Sequence, residues 1–297
     1  MARLRLNIVT LRRTRYSDRH SILTAWSAEM GRVSLLVADG SGRSAARSRA
    51  LSIVPSMIEC EVTSSPGREV MPASSMRPRA VLASLRANPL KSMIATLAAE
   101  ILDHALREAR EPDAALTDFI DASLMALDTL DNPTAIANFH LYFIYRLAAL
   151  LGVEPDMSTY APGRWFDMEG GRFTASMPVT PKRLRPEEAG ALAVLSRLTL
   201  KTLGAIKMNR AERTAALDAM LDYLELHNIV RAASLKSPDV LHSLFAWVGR
   251  QALSVAQSAD SVDSRSDYCG HENNGPDNNP GIESIVNVRF HNFGIFN

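Results

Sequence analysis

Ser21-Ile22-Leu23-Thr24-Ala25-Trp26-Ser27, then Glu29-Met30-Gly31, then Arg32-Val33-Ser34-Leu35-Leu36-Val37-Ala38 is the stretch that decides the fold. The first run roughly alternates polar and apolar residues, and the second is rich in β-branched and aliphatic residues, as half-buried strands are. Glu29-Met30-Gly31 reads as the turn, because Gly31 can take a positive φ at little cost. The pair is a hairpin. Working outward, Asn7 to Leu11 is a further β-prone run. Met57 to Val62 and Arg68 to Met71 are two more, split by Ser64-Ser65-Pro66-Gly67. Asp39-Gly40-Ser41-Gly42 ends the third strand, and Arg43 to Ala50 reads as a long loop. Five short strands in about 70 residues suit a small closed barrel of the OB type.

Beyond Ser75 the period changes from two to 3.6. Leu90, Met93, Ile94, Leu97, Ile101 and Leu102 form an i, i+3, i+4 stripe. Asp113 to Leu130 is another helical segment. Asp131-Asn132-Pro133 stops it and starts the next, which runs from about Thr134 to Leu151 and closes on Gly152. Apolar residues cover most of that helix, so it belongs at the centre of a bundle. Residues 153 to 185 are a Pro/Gly-rich break, in which Trp165 to Phe173 reads as a hairpin turning at Gly170-Gly171. Helices follow from Pro186, over Asn209 to His227, and over Ser237 to Leu253. The reading is therefore α+β: an OB barrel over 1–76, then a helical domain over 77–253 with a hairpin insertion near 160–178. The polar stretch over 254–297 reads as a disordered tail.

The 297-residue chain carries a net charge of only +1, and this hides an asymmetry. Residues 1–60 hold ten arginines against four carboxylates, a net +6. The remainder holds 23 bases against 28 acids, a net −5. A compact basic end on a neutral chain is an electrostatic footprint for a polyanion. The bland alternative is a solvated surface that keeps the barrel soluble. Arg12, Arg13, Arg15 and Arg19 cluster where the first strand leaves into a loop. Arg43, Arg47 and Arg49 follow the third strand, and Arg32 opens it. These eight arginines, with Tyr16 as a stacking aromatic, are the candidate nucleic-acid contacts, because guanidinium grips phosphate and stacks on bases. Trp26, inside a strand, fits the core better than a stacking role.

Several chemistries are excluded. No GxxxxGK[ST] and no strand-borne GxGxxG occurs, which argues against a nucleotide-driven motor. The seven histidines do not fall in metal-ligand spacing, and Cys269-Gly270-His271-Glu272 is one short of a structural zinc set. Ser17, Asp18 and His20 are neighbours in sequence, whereas triad members come from separate elements. Cys60 and Cys269 give no disulfide framework. No apolar run reaches the ~18 residues of a membrane span, and no signal peptide is evident, so a cytoplasmic, nucleoid-associated location and no membrane partner are expected. No cofactor, no metal and no enzymatic activity are expected.

Tyr16-Ser17-Asp18-Arg19-His20-Ser21-Ile22-Leu23-Thr24, with Glu29-Met30-Gly31-Arg32-Val33-Ser34-Leu35 behind it, resembles the opening of RecO proteins. Asn138 to Gly152 is similar to that family's central helix. Met220 to His227, then Leu235-Lys236-Ser237 and Val240-Leu241-His242-Ser243-Leu244-Phe245, resembles its ending. The ordered set spans roughly 1–248. The resemblance implies a repair and recombination mediator that binds single- and double-stranded DNA and anneals complementary strands. With RecR, such a protein helps RecA replace single-strand-binding protein. It also implies that the helical domain receives the acidic tail of single-strand-binding protein, for which Phe139, Tyr142 and Arg146 are the candidate contacts. Many relatives carry a four-cysteine zinc site; Met157 to Pro178 has no cysteine here, so the resemblance is to a zinc-less branch. The alternative function is a protein-interaction module of a repair complex that does not touch DNA.

Overall fold

The computed structural model describes residues 2–245 apart from Pro66 and Arg68. Five strands close a barrel: β1 (Ala2–Arg15), β2 (His20–Ser27), β3 (Gly31–Ala38), β4 (Met57–Ser64) and β5 (Val70–Pro78). The order around it is β1-β2-β3-β5-β4, and β4 returns to β1. All pairs are antiparallel except β3–β5. This is the five-stranded Greek-key arrangement expected of an OB-like barrel. Its interior is filled by residues at period two, among them Leu6, Ile8, Leu23, Leu35, Val37, Ile58, Cys60 and Val62. Burial pushes the Cys60 thiol up to about 12, so it is an inert core residue at neutral pH.

Arg43–Leu51 is a helix, α1, where a loop was expected. It has good intrinsic formers in its alanines and arginines. The sequence hides it because it carries no apolar stripe, and only Ala45 and Ser48 are buried. The fifth strand also starts later and runs further, to Pro78.

The helical region comprises α2 (Ala83–Ala87), α3 (Pro89–Ala105), α4 (Ala114–Thr129), α5 (Pro133–Leu150), α6 (Pro186–Ser196) and α7 (Arg210–Leu226). A last helical segment covers 237–245. The starts are chemically marked. Asn88, Asp113, Asn132 and Asn209 each accept backbone N–H groups of the first turn, a contribution of about 1 kcal/mol per cap. Twelve of the eighteen residues of α5 are buried, which places it at the centre, as its all-round apolar pattern predicts.

The Gly170-Gly171 hairpin is present as β6 (Trp165–Asp167) and β7 (Arg172–Thr174), with a third strand, β8 (Arg183–Leu184), that its two residues made unreadable. Phe166 packs between Phe173 and Tyr223 of α7, at ring-centroid distances of 4.8 and 5.7 Å. The His227 ring nitrogen meets the Met168 carbonyl at 3.0 Å. Aromatic packing on α7 therefore holds this sheet. The expected tail over 254–297 and the Cys269 cluster lie outside the described residues.

Candidate nucleic-acid interface

The two arginine clusters meet at one carboxylate. The meeting starts with a β-bulge in β1 between Thr10 and Arg12. Facing residues in a ladder point to the same side of the sheet, and successive residues to opposite sides. After the bulge, Arg12 lies opposite Thr24 and Arg13 opposite Leu23. Leu23 is a barrel-core residue, so Arg13 occupies the inward register at the barrel rim. Arg15 follows opposite Ser21, which is itself opposite Val37.

Asp39 closes the arrangement just past β3. Its backbone N–H donates to the Arg19 carbonyl at 2.8 Å, and its carboxylate accepts a short hydrogen bond from the Ser21 hydroxyl. Arg13 reaches the same carboxylate at 2.7 Å, and Arg49 of α1 at 3.7 Å. Arg49 also donates to the Gly40 carbonyl at 2.6 Å. The Ser21 hydroxyl, and then the Arg13 and Arg49 guanidiniums, hold the Asp39 carboxyl below its usual 3.8, against the opposing effect of desolvation.

Around this centre the charge is open. Arg15 pairs with Asp18 at 2.8 Å, with both side chains largely in solvent, so the pair is weak. Arg19, Arg43 and Arg47 are exposed and form no ion pair among the described residues. Tyr16 is 68 % exposed on the β1–β2 turn, free to stack. Trp26 is 1 % exposed, and its indole N–H donates to the Thr117 hydroxyl at 2.9 Å, which fixes it as a packing residue.

Three expected contacts are corrected. Arg32 is turned to the outer face, where it donates to the Asp103 carbonyl at 2.7 Å and pairs with the Asp103 carboxylate at 2.5 Å. Its side chain is 14 % exposed, so it ties the barrel to α3 and has no open face for phosphate. Phe139 is 1 % exposed inside α5 and cannot present its ring to a partner. Arg146 donates to the Leu198 carbonyl at 3.0 Å and, at longer range, to that of Ser196, so its guanidinium is engaged within the helical region. Tyr142 is half-buried against Phe139.

Arg12 is shared: it pairs with Asp103 at 3.0 Å while its side chain stays 57 % exposed. The outer-face role of Arg12 and Arg32 was missed in the sequence. The signal for it is the in-register pairing of Trp26 with both Val9 and Arg32, which marks a covered outer face. The Ser17-Asp18-His20 turn is not a triad. The Ser17 oxygen accepts the His20 backbone N–H at 3.2 Å, and Asp18 faces Arg15. Among the described residues no helix is long and apolar enough to cross a membrane, and no cluster of three metal-ligating side chains occurs.

Comparison with known proteins gives one consistent result. The profile of the family described as Recombination protein O C terminal matches residues 86–231. The DNA repair protein RecO of Porphyromonas gingivalis is 33 % identical over 242 residues, covering 80 % of this chain and 97 % of that one. The RecO of Phocaeicola vulgatus is 34 % identical over 238 residues, with the same coverages. That of Bacteroides fragilis is 32 % identical over 238 residues.

Proposed function

The chain belongs to the RecO family of DNA repair proteins, and on that premise we propose that it is a non-enzymatic recombination mediator whose barrel rim binds DNA. The observation that carries this reading is the convergence of Arg13 and Arg49 on Asp39, with Arg43 and Arg47 on the same helix as Arg49 and, like Arg19, exposed and without an ion pair among the described residues. Such a rim grips phosphates without reading bases, so single and double strands both bind. Neutralising two backbones at once lowers their mutual repulsion, which is what annealing of complementary strands needs. No bound nucleotide and no activated nucleophile are required.

The partners are those the family resemblance implies: RecR, the acidic tail of single-strand-binding protein, and RecA indirectly, in the cytoplasm. Of the helical residues considered for that tail, Phe139 is buried and the Arg146 guanidinium is engaged, which leaves the half-buried Tyr142.

The test is fluorescence anisotropy with labelled single-stranded and duplex DNA across a salt series. Replacing Arg15, Arg19 and Arg43 with alanine should weaken both and reduce the slope of log K against log salt by about three. Arg12 is unsuitable for this test because it also holds Asp103. Salt-insensitive binding, or none at low salt, would overturn the reading in favour of a protein-interaction module, which would still capture RecR.

A further inference from the structure

Beside the arginine rim the barrel has an opening. Strands β3 and β5 pair in parallel only from Ser34 to Leu36, after which they part. Helix α1 bridges the gap, and between it and β5 lies a cleft of about 380 Å³. One wall is a single face of α1: Ser44, Arg47, Ser48 and Leu51 at i, i+3, i+4 and i+7. The opposite wall is β5 from Ala73 to Arg77.

The lining is divided by chemistry. Leu51, Ala73 and Met76 give the lining its apolar part and Ser44 adds a hydroxyl, while the Ser75 hydroxyl donates to the Glu61 carboxylate at 3.2 Å. Arg47 has no ion pair among the described residues, whereas Arg77 is already held by Glu59 at 2.5 Å. Ala38, the residue before Asp39, lines the cleft, so its mouth adjoins the site where Arg13 and Arg49 meet. The far wall is also irregular. A bulge interrupts β4–β5 pairing between Glu59 and Glu61, and Ser75 there has φ 51, a left-handed conformation rare outside glycine. Bulges re-aim side chains and are frequent beside functional sites.

We propose that this cleft takes one unstacked nucleotide of single-stranded DNA, its base against Leu51 and Met76 and its phosphate on Arg47. The volume falls in the range of small-molecule sites, about 300–1,000 Å³. A base in a duplex cannot enter, because it is paired and stacked. The rim therefore holds either form of DNA, and the cleft adds affinity only for the single strand. This rests on the proposed DNA-binding reading, but it makes a separable demand.

Ser44 is exposed at the mouth, so Ser44→Trp fills the cleft with little disturbance of the core. In anisotropy titrations S44W should bind single-stranded DNA about tenfold more weakly and duplex DNA as before. In the unaltered protein, a single strand carrying 4-thiothymidine should photo-crosslink to peptides containing Leu51 or Met76, and the same probe annealed into a duplex should not. If single-strand and duplex affinities fall together, or neither falls, or no crosslink forms in 43–51 or 71–77, the cleft is not a nucleotide site, while rim binding stands. If the unaltered protein binds neither DNA, the cleft and the proposed function fall together.

Discussion

Arg12 and Arg13 are neighbours in sequence and belong to two different regions of the molecule. Arg12 points outward from the barrel to Asp103 of α3, beside Arg32, in a junction where Arg32 and Asp103 are 14 % and 12 % exposed. Arg13 points to the rim, where one carboxylate, Asp39, serves two guanidiniums and the surrounding arginines stay in water. At the junction, arginine is a structural tie. The same holds for Arg79 on Asp121, and for Arg86, which donates to the Pro55 carbonyl at 2.5 Å. At the rim, six arginines face only Asp39 and Asp18, and Arg19, Arg43 and Arg47 form no ion pair among the described residues. The +6 counted over residues 1–60 therefore overstates the footprint available to a polyanion. What separates the two uses is a single bulge and the alternation of strand side chains.

The contrast can be broken most severely at the junction. Asp103→Ala leaves the mostly buried Arg32 without its carboxylate and should cost about 3 kcal/mol in urea unfolding. DNA affinity of the folded fraction should hardly move. A loss below about 1 kcal/mol would mean that the junction guanidiniums are solvated like those of the rim. Trp26→Phe removes the hydrogen bond to Thr117 and should cost about 1 kcal/mol by the same measurement, with no change in DNA binding. A selective loss of single-strand binding would instead make Trp26 a stacking residue.

The smallest effect lies at Asp39. Its folded value is depressed below 3.8, so the stabilisation linked to it is complete above 3.8 and is lost as pH falls through the folded value. The carboxyl resonance of Asp39 should titrate below 3.8. Asp39→Asn should lower stability in the neutral region by the amount the unaltered protein loses as Asp39 is protonated, and should flatten the acid limb of the stability–pH curve accordingly. A midpoint at or above 3.8 would show that Ser21, Arg13 and Arg49 do not hold the carboxylate in solution.

Much of the fold was legible. Alternation over Ser21–Ala38 gave the hairpin, and Asp113, Asn132-Pro133 and Asn209 marked helix starts that the backbone follows. Helix α1 was illegible because its buried face is made of Ala45 and Ser48, which carry no apolar signal. Strand β8 was too short to show a period. Of the site, the residue types were legible and the orientations were not. Tyr16, Arg15, Arg19, Arg43 and Arg47 are exposed, while Arg32, Phe139 and Arg146 are engaged or buried inside the fold.

By itself the sequence determined the element types, their order and the excess of arginine at one end. These follow from local periodicity, caps and composition, each of which acts within a few residues. Only the tertiary structure decided which arginines meet a carboxylate and which meet water. Arg13 and Asp39 are 26 positions apart, and Arg32 and Asp103 are 71 apart. A one-residue bulge sets which of two adjacent side chains faces which partner, and charge separates into structural and available only once those long-range contacts form.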